Sequence, residues 1–297
     1  MNLSQVFRLV LIASIWGASH VLVRIAVPEI GPTLTAFFRI SIAALTLLAF
    51  QTATRLPLRF KENWKFYLLV GVLYTALPLS LFAFASVLLP SAYLIILNAT
   101  TPIFAALFAS LLLKEEFGWR KFASLSIGIT GVFLLKEFGS IENVTPEVVL
   151  AMGMGLTASA SYGLCGVLVK KWGGGGNSTS LTTGSNLFAV VLLSPLALSA
   201  LRNFTPPSFT HHSLISVVTA LFILGVFGSA LAFMLFYGLI KEIGPFKASL
   251  TTFLMPVFGI IWGIIFLQEP LTPGMLAGAA LVLVSTSFFI QKKAARL

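Results

Sequence analysis

The chain has no aspartate, and its nine acidic residues are all glutamate. Charged residues fill only 9% of its 297 positions, against about 25% in a soluble domain. That scarcity excludes a water-solvated globule, because there is too little polar surface to cover one. Cysteine occurs once, at Cys165, which excludes an intramolecular disulfide. Histidine occurs three times, as His20 and the loop pair His211-His212. An enzyme site needs a nucleophile with its base, a carboxylate pair or a metal cluster. With no Asp, one Cys and a single His inside an apolar run, no catalytic set is expected, and neither a metal nor a cofactor.

What the chain has instead is apolar length. Hydrophobic residues make up 58% of it, and mean hydropathy is +0.99. Ten apolar runs cover 6–27, 33–52, 64–86, 91–113, 119–135, 148–169, 179–201, 214–240, 246–267 and 271–290. Runs of about 20 residues suit membrane-crossing helices, whereas a barrel would show alternating segments of about 10. Turn formers fill the links: Gly31-Pro32, Pro90, Gly118, Pro146, the glycine run 173–176, Pro206-Pro207, Gly244-Pro245 and Pro273. Arg8 before the first run resembles a signal peptide, but nine further runs argue for an uncleaved first span. The expected fold is an all-α polytopic membrane protein with ten transmembrane helices.

The net charge of +10 raises nucleic acid as a partner. The positions of the cations exclude it, because most sit in short links. Fifteen Lys and Arg fall on the side of the N-terminus. Only Arg24, Lys136 and Arg202 fall on the other, and Arg39 lies within a span. This asymmetry predicts cytoplasmic N- and C-termini and an even number of spans. The partners expected are the lipid bilayer and a small-molecule substrate.

The chain also repeats itself. Residues 15–24, IWGASHVLVR, align without gaps on 161–170, SYGLCGVLVK, at an offset of 146. Trp16 meets Tyr162, Gly17 meets Gly163, His20 meets Gly166 and Arg24 meets Lys170. Leu34-Thr35 matches Leu181-Thr182, which sets Arg39 opposite Asn186. Pro102 with Glu115 matches Pro256 with Glu269, both spaced by 13 residues. Five spans per half is odd, so the second half must enter from the opposite side. The expected organisation is two inverted five-helix repeats, 1–140 and 141–297, forming one membrane domain. Inverted repeats of this kind mark secondary transporters, with the site at the repeat interface near mid-membrane.

With these stretches the chain resembles the ten-span, EamA-like members of the drug/metabolite transporter superfamily. The resemblance rests on Trp16-Gly17 with Arg24, Arg39 early in the second span, LLLKEEFGW at 111–119 followed by Gly131-Val132, and LQEPLTPGMLAG at 267–278. Ser124 and Ser285 depart from it, standing where the family often has Gly. Overall similarity is greatest to the bacterial aromatic amino-acid exporters. The resemblance implies a cell inner-membrane protein, a monomer, with a central site between spans one, three, four, six, eight and nine.

Several side chains are candidates for that site. Trp16 and His20 lie one turn apart and would offer a ring and a polar tip on one surface. His20 titrates near neutral pH and suits a carboxylate or a proton; the plainer reading is a neutral His bonded between helices. Span three sets Tyr74, Pro78 and Phe82 at helical spacing, and span four sets Asn98 and Thr101 beside Pro102. Tyr162, Tyr237 and Trp262 join them as rings that share a face with polar atoms. Such rings with few polar anchors suit small amphipathic solutes. Pro102 and Pro256 are candidate hinges, because interrupted helices point to a transport site. Glu115 and Glu269 are candidates for gating or for capping the helix that follows. Arg39 reads as structural, snorkelling outward or bonded to carbonyls, with attraction of a substrate carboxylate as the alternative. Gly259-x-x-x-Gly263 and Gly274-x-x-x-Gly278 read as close helix packing.

The expected function is export of small organic metabolites, amino acids and aromatic ones included, by alternating access. The spans hold no mid-membrane Asp or Glu, which favours facilitated efflux. Proton-coupled antiport of drugs or organic cations is the alternative.

Overall fold

A computed structural model gives the architecture for residues 1–85, 88–89, 91–134, 145–173, 177–202, 213–267 and 273–290. Every regular element among the described residues is helical. Among the described residues, eight stretches are long and apolar enough to cross a membrane: Leu3–Val23, Ile25–Ala53, Phe60–Ala85, Ile96–Leu113, Pro146–Trp172, Ser178–Arg202, Leu214–Ile243 and Pro245–Phe266. A shorter apolar helix covers Leu276–Ser287. The two remaining sequence runs fall on α6 (Trp119–Leu134) and α13 (Pro273–Ile290). Large apolar side chains such as Leu45, Val191, Ile215 and Phe266 stay exposed, as helices solvated by lipid require.

Helix α1 (Leu3–Ala53) carries the first two runs and turns between them at Gly31. Gly31 has φ 78° and ψ 162°, and Gly244 has φ 87° and ψ 161°. Both precede proline, which holds the residue before it extended. Positive φ with that ψ is a region essentially reserved for glycine.

The third and eighth spans each contain a π-helical turn. Helix α2 (Phe60–Val70) runs into a turn at Gly71–Ala76 and on into α3 (Leu77–Ala85). Proline 78 has no N–H for the carbonyl one turn back. The ladder widens just before it, and Leu77 N–H bonds to Val72. Helix α9 (Leu214–Gly225) meets a second π turn, Val226–Leu231, before α10 (Ala232–Ile243), where Ala232 N–H reaches Phe227. No proline causes this one; it lies among Gly225, Gly228 and small neighbours.

The fourth span is two helices, α4 (Ser91–Asn98) and α5 (Thr101–Leu113), with Pro102 in the first turn of the second. The Leu97 carbonyl accepts bonds from Thr100 N–H at 3.1 Å, Thr100 Oγ1 at 2.6 Å and Ser159 Oγ at 2.7 Å. The ninth span is also split, into α11 (Pro245–Ser249) and α12 (Thr251–Leu267). Here the break comes at Leu250, and Pro256 lies inside α12. Thr251 and Thr252 donate to the Ala248 and Ser249 carbonyls and so satisfy the broken ladder.

Between helices, small residues set the distances. Beneath α12, Gly17 would put a Cβ 2.7 Å from Phe258 Cβ and 2.8 Å from the Gly259 nitrogen. Gly163 on α7 (Pro146–Trp172) would put one 2.7 Å from the Ala105 nitrogen and 2.8 Å from Phe104 Cβ. Helices α6 and α13 cross where Ser124 and Ser285 exchange bonds: Ser285 Oγ to the Ser124 carbonyl at 2.7 Å, and Ser124 Oγ to the Ser285 carbonyl at 3.1 Å. Two turns away the same helices bring Gly131 against the Gly278 carbonyl.

Candidate functional site

Aromatic rings from five elements meet in the core. Tyr74, in the first π turn, is their hub. Its ring lies 4.9 Å from Tyr162 on α7, 5.2 Å from Tyr237, 5.4 Å from Phe233 and 5.6 Å from Phe236 on α10. Trp16 of α1 packs 5.1 Å from Phe236 and 6.2 Å from Phe233. Phe82 of α3 stacks on Tyr162 at 6.3 Å. These are favourable offset and edge-to-face separations. Five of the rings predicted from sequence, Trp16, Tyr74, Phe82, Tyr162 and Tyr237, therefore lie in one cluster. Phe233 and Phe236 were not singled out. Their signal was spacing: Phe233 is four residues before Tyr237 and three before Phe236, which puts them on adjoining strips of one helix.

The polar frame around the rings comes from the π turns. A π turn frees a carbonyl from the usual ladder, and it needs another donor. Trp16 Nε1 donates to the Gly228 carbonyl at 3.1 Å, and Arg39 Nη2 donates to the same oxygen at 3.0 Å. Arg39 Nε also donates to Ser229 Oγ at 2.7 Å. In the first π turn, Ser161 Oγ donates to the Leu73 carbonyl at 2.7 Å. The Tyr237 hydroxyl is buried and makes no hydrogen bond of good geometry among the described residues. Ser185, the hydroxyl beside it, donates to the Thr182 carbonyl instead.

The other candidates lie around this cluster. Pro78 is buried just past the first π turn. Asn98 and Thr101 flank the break in the fourth span, where Thr101 Oγ1 donates to Asn98 Oδ1 at 3.4 Å. Pro102 and Pro256 are both buried. Trp262 is not among the clustered rings: its indole donates to the Ser14 carbonyl at 3.1 Å, and its ring stacks on Phe266. Glu115 accepts from Lys121 Nζ at 3.1 Å, so it pairs with a side chain of the following helix. The side chain of His20 and the whole of Glu269 lie outside the described residues, as does His211-His212. Glu29, which sequence reasoning passed over, is buried at the Gly31 turn. Among the described residues no group of three His, Cys, Asp or Glu is placed to hold a metal.

Polar contacts cross-link one end of the bundle. Arg8 Nη1 donates to Glu242 Oε1 at 2.8 Å, Arg8 Nη2 pairs with Oε2, and Gln5 reaches the same carboxylate. Lys170 donates to the Lys241 carbonyl. These contacts join the start of α1 and the end of α7 to the end of α10.

Comparison with known proteins agrees with this architecture. The EamA-like transporter family model matches residues 3–136 and again 149–291. The uncharacterized transporter YvbV of Bacillus subtilis is 29% identical over 94% of this chain and 91% of its own length. Protein PecM of Dickeya dadantii is 27% identical, over 94% and 92%. The S-adenosylmethionine/S-adenosylhomocysteine transporter of Chlamydia trachomatis is 26% identical, over 91% and 84%. A solved crystal structure, 15% identical, shares the fold with a TM-score of 0.79 over 97% of this chain and 96% of that one. Almost the whole chain falls within the two family matches, and it is therefore a multi-pass membrane protein belonging to the EamA-like transporter family.

Proposed function

We propose that the protein is a secondary transporter that exports small organic metabolites, amino acids and aromatic ones in particular, across the cell inner membrane. The carrying observation is the ring cluster. Trp16 and Tyr162, set opposite each other by the sequence repeat, join one cluster from two sides, Trp16 through Phe236 and Tyr162 through Tyr74, which pack on each other. A mostly apolar site with a few aimed polar groups suits an amphipathic solute. The Chlamydia relative is named for two amino acids that carry an aromatic base, a compatible chemistry.

In this reading ten spans form two inverted repeats, 1–140 and 141–297, in a monomer with both termini cytoplasmic. Paired contacts support it. Gly17 packs on Phe258 and Gly259, and its counterpart Gly163 packs on Phe104 and Ala105. Trp16 donates into the second π turn, and Ser161 into the first. Two family matches, one per half, point the same way. Alternating access then rocks one half against the other, with the π turns as soft points.

Net efflux of labelled L-phenylalanine from proteoliposomes is expected with no imposed ion gradient, saturable and insensitive to a protonophore. Strict dependence on a pH gradient, abolished in His20→Ala, would replace facilitated efflux with proton exchange.

The Arg8–Glu242 pair closes the cytoplasmic end in this scheme. Cys165, buried near the Tyr74 and Tyr237 rings, is a native reporter of opening. In Glu242→Gln, alkylation of Cys165 by N-ethylmaleimide is expected to quicken about two- to fivefold, as loss of an exposed ion pair worth up to ~1 kcal/mol allows. Equal rates in both proteins would remove the pair from the closure.

A further inference from the structure

We infer that Arg39 is the carboxylate anchor of the transport site, which makes the favoured cargo a solute bearing both a ring and a carboxylate rather than an organic cation. The inference rests on the transporter reading and names its substrate class. Arg39 and Trp16 donate to one oxygen, that of Gly228, so their donor nitrogens lie no more than about 6 Å apart. The guanidinium thus sits at the edge of the ring cluster. Tyr162, at the cluster's other side, is within its electrostatic reach.

The donor count is what points to a ligand. A guanidinium carries five N–H groups in a rigid fork. Nε and one Nη2 hydrogen are used by Ser229 and Gly228. Nη1 and the second Nη2 hydrogen remain, and among the described residues no carboxylate pairs with Arg39. Of the three free hydrogens, one on Nη1 and one on Nη2 form the end-on edge, whose spacing matches a carboxylate bidentately. A cation within a membrane span is costly unless it is paired, and such residues mark substrate pathways. The π turn holds the other edge of the fork and so fixes its direction. A carboxylate seated there would leave its ring beside Trp16.

The test compares matched solutes in proteoliposomes: labelled L-phenylalanine, 3-phenylpropionate, L-phenylalaninamide and phenethylamine. Wild-type initial uptake is expected to favour the two carboxylates by about tenfold, the scale of one charge-assisted bidentate contact. In Arg39→Gln that preference, read as the ratio of carboxylate to amide and amine uptake at equal inserted protein, should fall below about threefold. Arg39→Lys, which keeps the charge without the fork, should fall between and covers the case in which Arg39→Gln does not insert. An undiminished preference in Arg39→Gln, or in Arg39→Lys where only it inserts, would overturn the anchor and leave the guanidinium as a donor to the π turn alone. Wild-type uptake that treats all four solutes alike, or favours the amine, would overturn the anchor while leaving transport intact. Uptake of none of the four would overturn both readings.

Discussion

Gly17→Val is expected to yield little monodisperse protein, and Gly163→Val to do the same. The atoms that a Cβ at Gly17 meets at 2.7–2.9 Å include the Gly259 nitrogen and the Met255 carbonyl oxygen. Backbone cannot rotate away as the end of a side chain can, so α1 and α12 would have to part. Overpacking of a close-packed interface costs about 1–3 kcal/mol when neighbours yield, and here the neighbours are fixed. That is a large share of the ~5–15 kcal/mol that holds a folded protein together. Gly153 is the control. Nothing lies within 4 Å of a Cβ there, and it sits inside α7. Gly153→Ala should stabilise by about 0.4–1 kcal/mol through lost freedom in the unfolded chain. Thermal unfolding followed by size-exclusion chromatography in detergent measures both. A Gly17→Val protein that melts with the wild type would mean that α1 and α12 do not approach this closely.

The helices were legible in the sequence because lipid demands long apolar runs, and the runs end where glycine and proline punctuate them. The interruptions were legible only as regions. Pro78 marked the third span, yet the widened turn lies just before it, because the missing N–H is felt one turn upstream. The second π turn follows from hydrogen-bond register among small residues, which composition does not reveal. Pro256 marked the ninth span, but the chain breaks at Leu250, where threonine hydroxyls can take over the carbonyls. The site was half legible. Trp16, Tyr74, Tyr162 and Tyr237 stood out because tyrosine and tryptophan are scarce here, at five each. Phe233 and Phe236 did not, being two of 27 phenylalanines in a chain whose lipid face also uses them. The partner of Arg39 was hidden for a different reason: a freed carbonyl at Gly228 belongs to the backbone and leaves no trace in residue type. The repeat also keeps its register in three dimensions. Gly225 meets the Arg39 carbonyl and Gly71 meets that of Ser185, the residue 146 positions after Arg39, whereas the Leu34-Thr35 match, offset by 147, sets Arg39 opposite Asn186, one residue on.

Trp16→Ala is expected to cut uptake of L-phenylalanine by tenfold or more at equal amounts of inserted protein, and uptake of L-alanine by less than about threefold. The asymmetry follows from what the indole does. Its ring is only 7% exposed and lines the cluster beside Phe233 and Phe236. A ring pair is worth about 0.5–1.5 kcal/mol beyond the area it buries, and a net hydrogen bond about 0.5–1.5 kcal/mol. Together they span roughly five- to 150-fold, but only a substrate that stacks on the indole would lose the first part, and the hydrogen bond lies within the protein. Truncating a buried tryptophan also costs about 3–5 kcal/mol of stability, so transport loss alone does not assign the residue. Trp16→Phe separates the two contributions. It keeps a ring and removes the donor to Gly228, leaving that carbonyl to Arg39. Phenylalanine uptake in Trp16→Phe should therefore fall by less than about threefold, because a ring is kept and the lost bond lies within the protein. If alanine and phenylalanine uptake fall equally in Trp16→Ala, the indole acts by packing the helices, and the ring cluster loses its standing as the place where substrate binds.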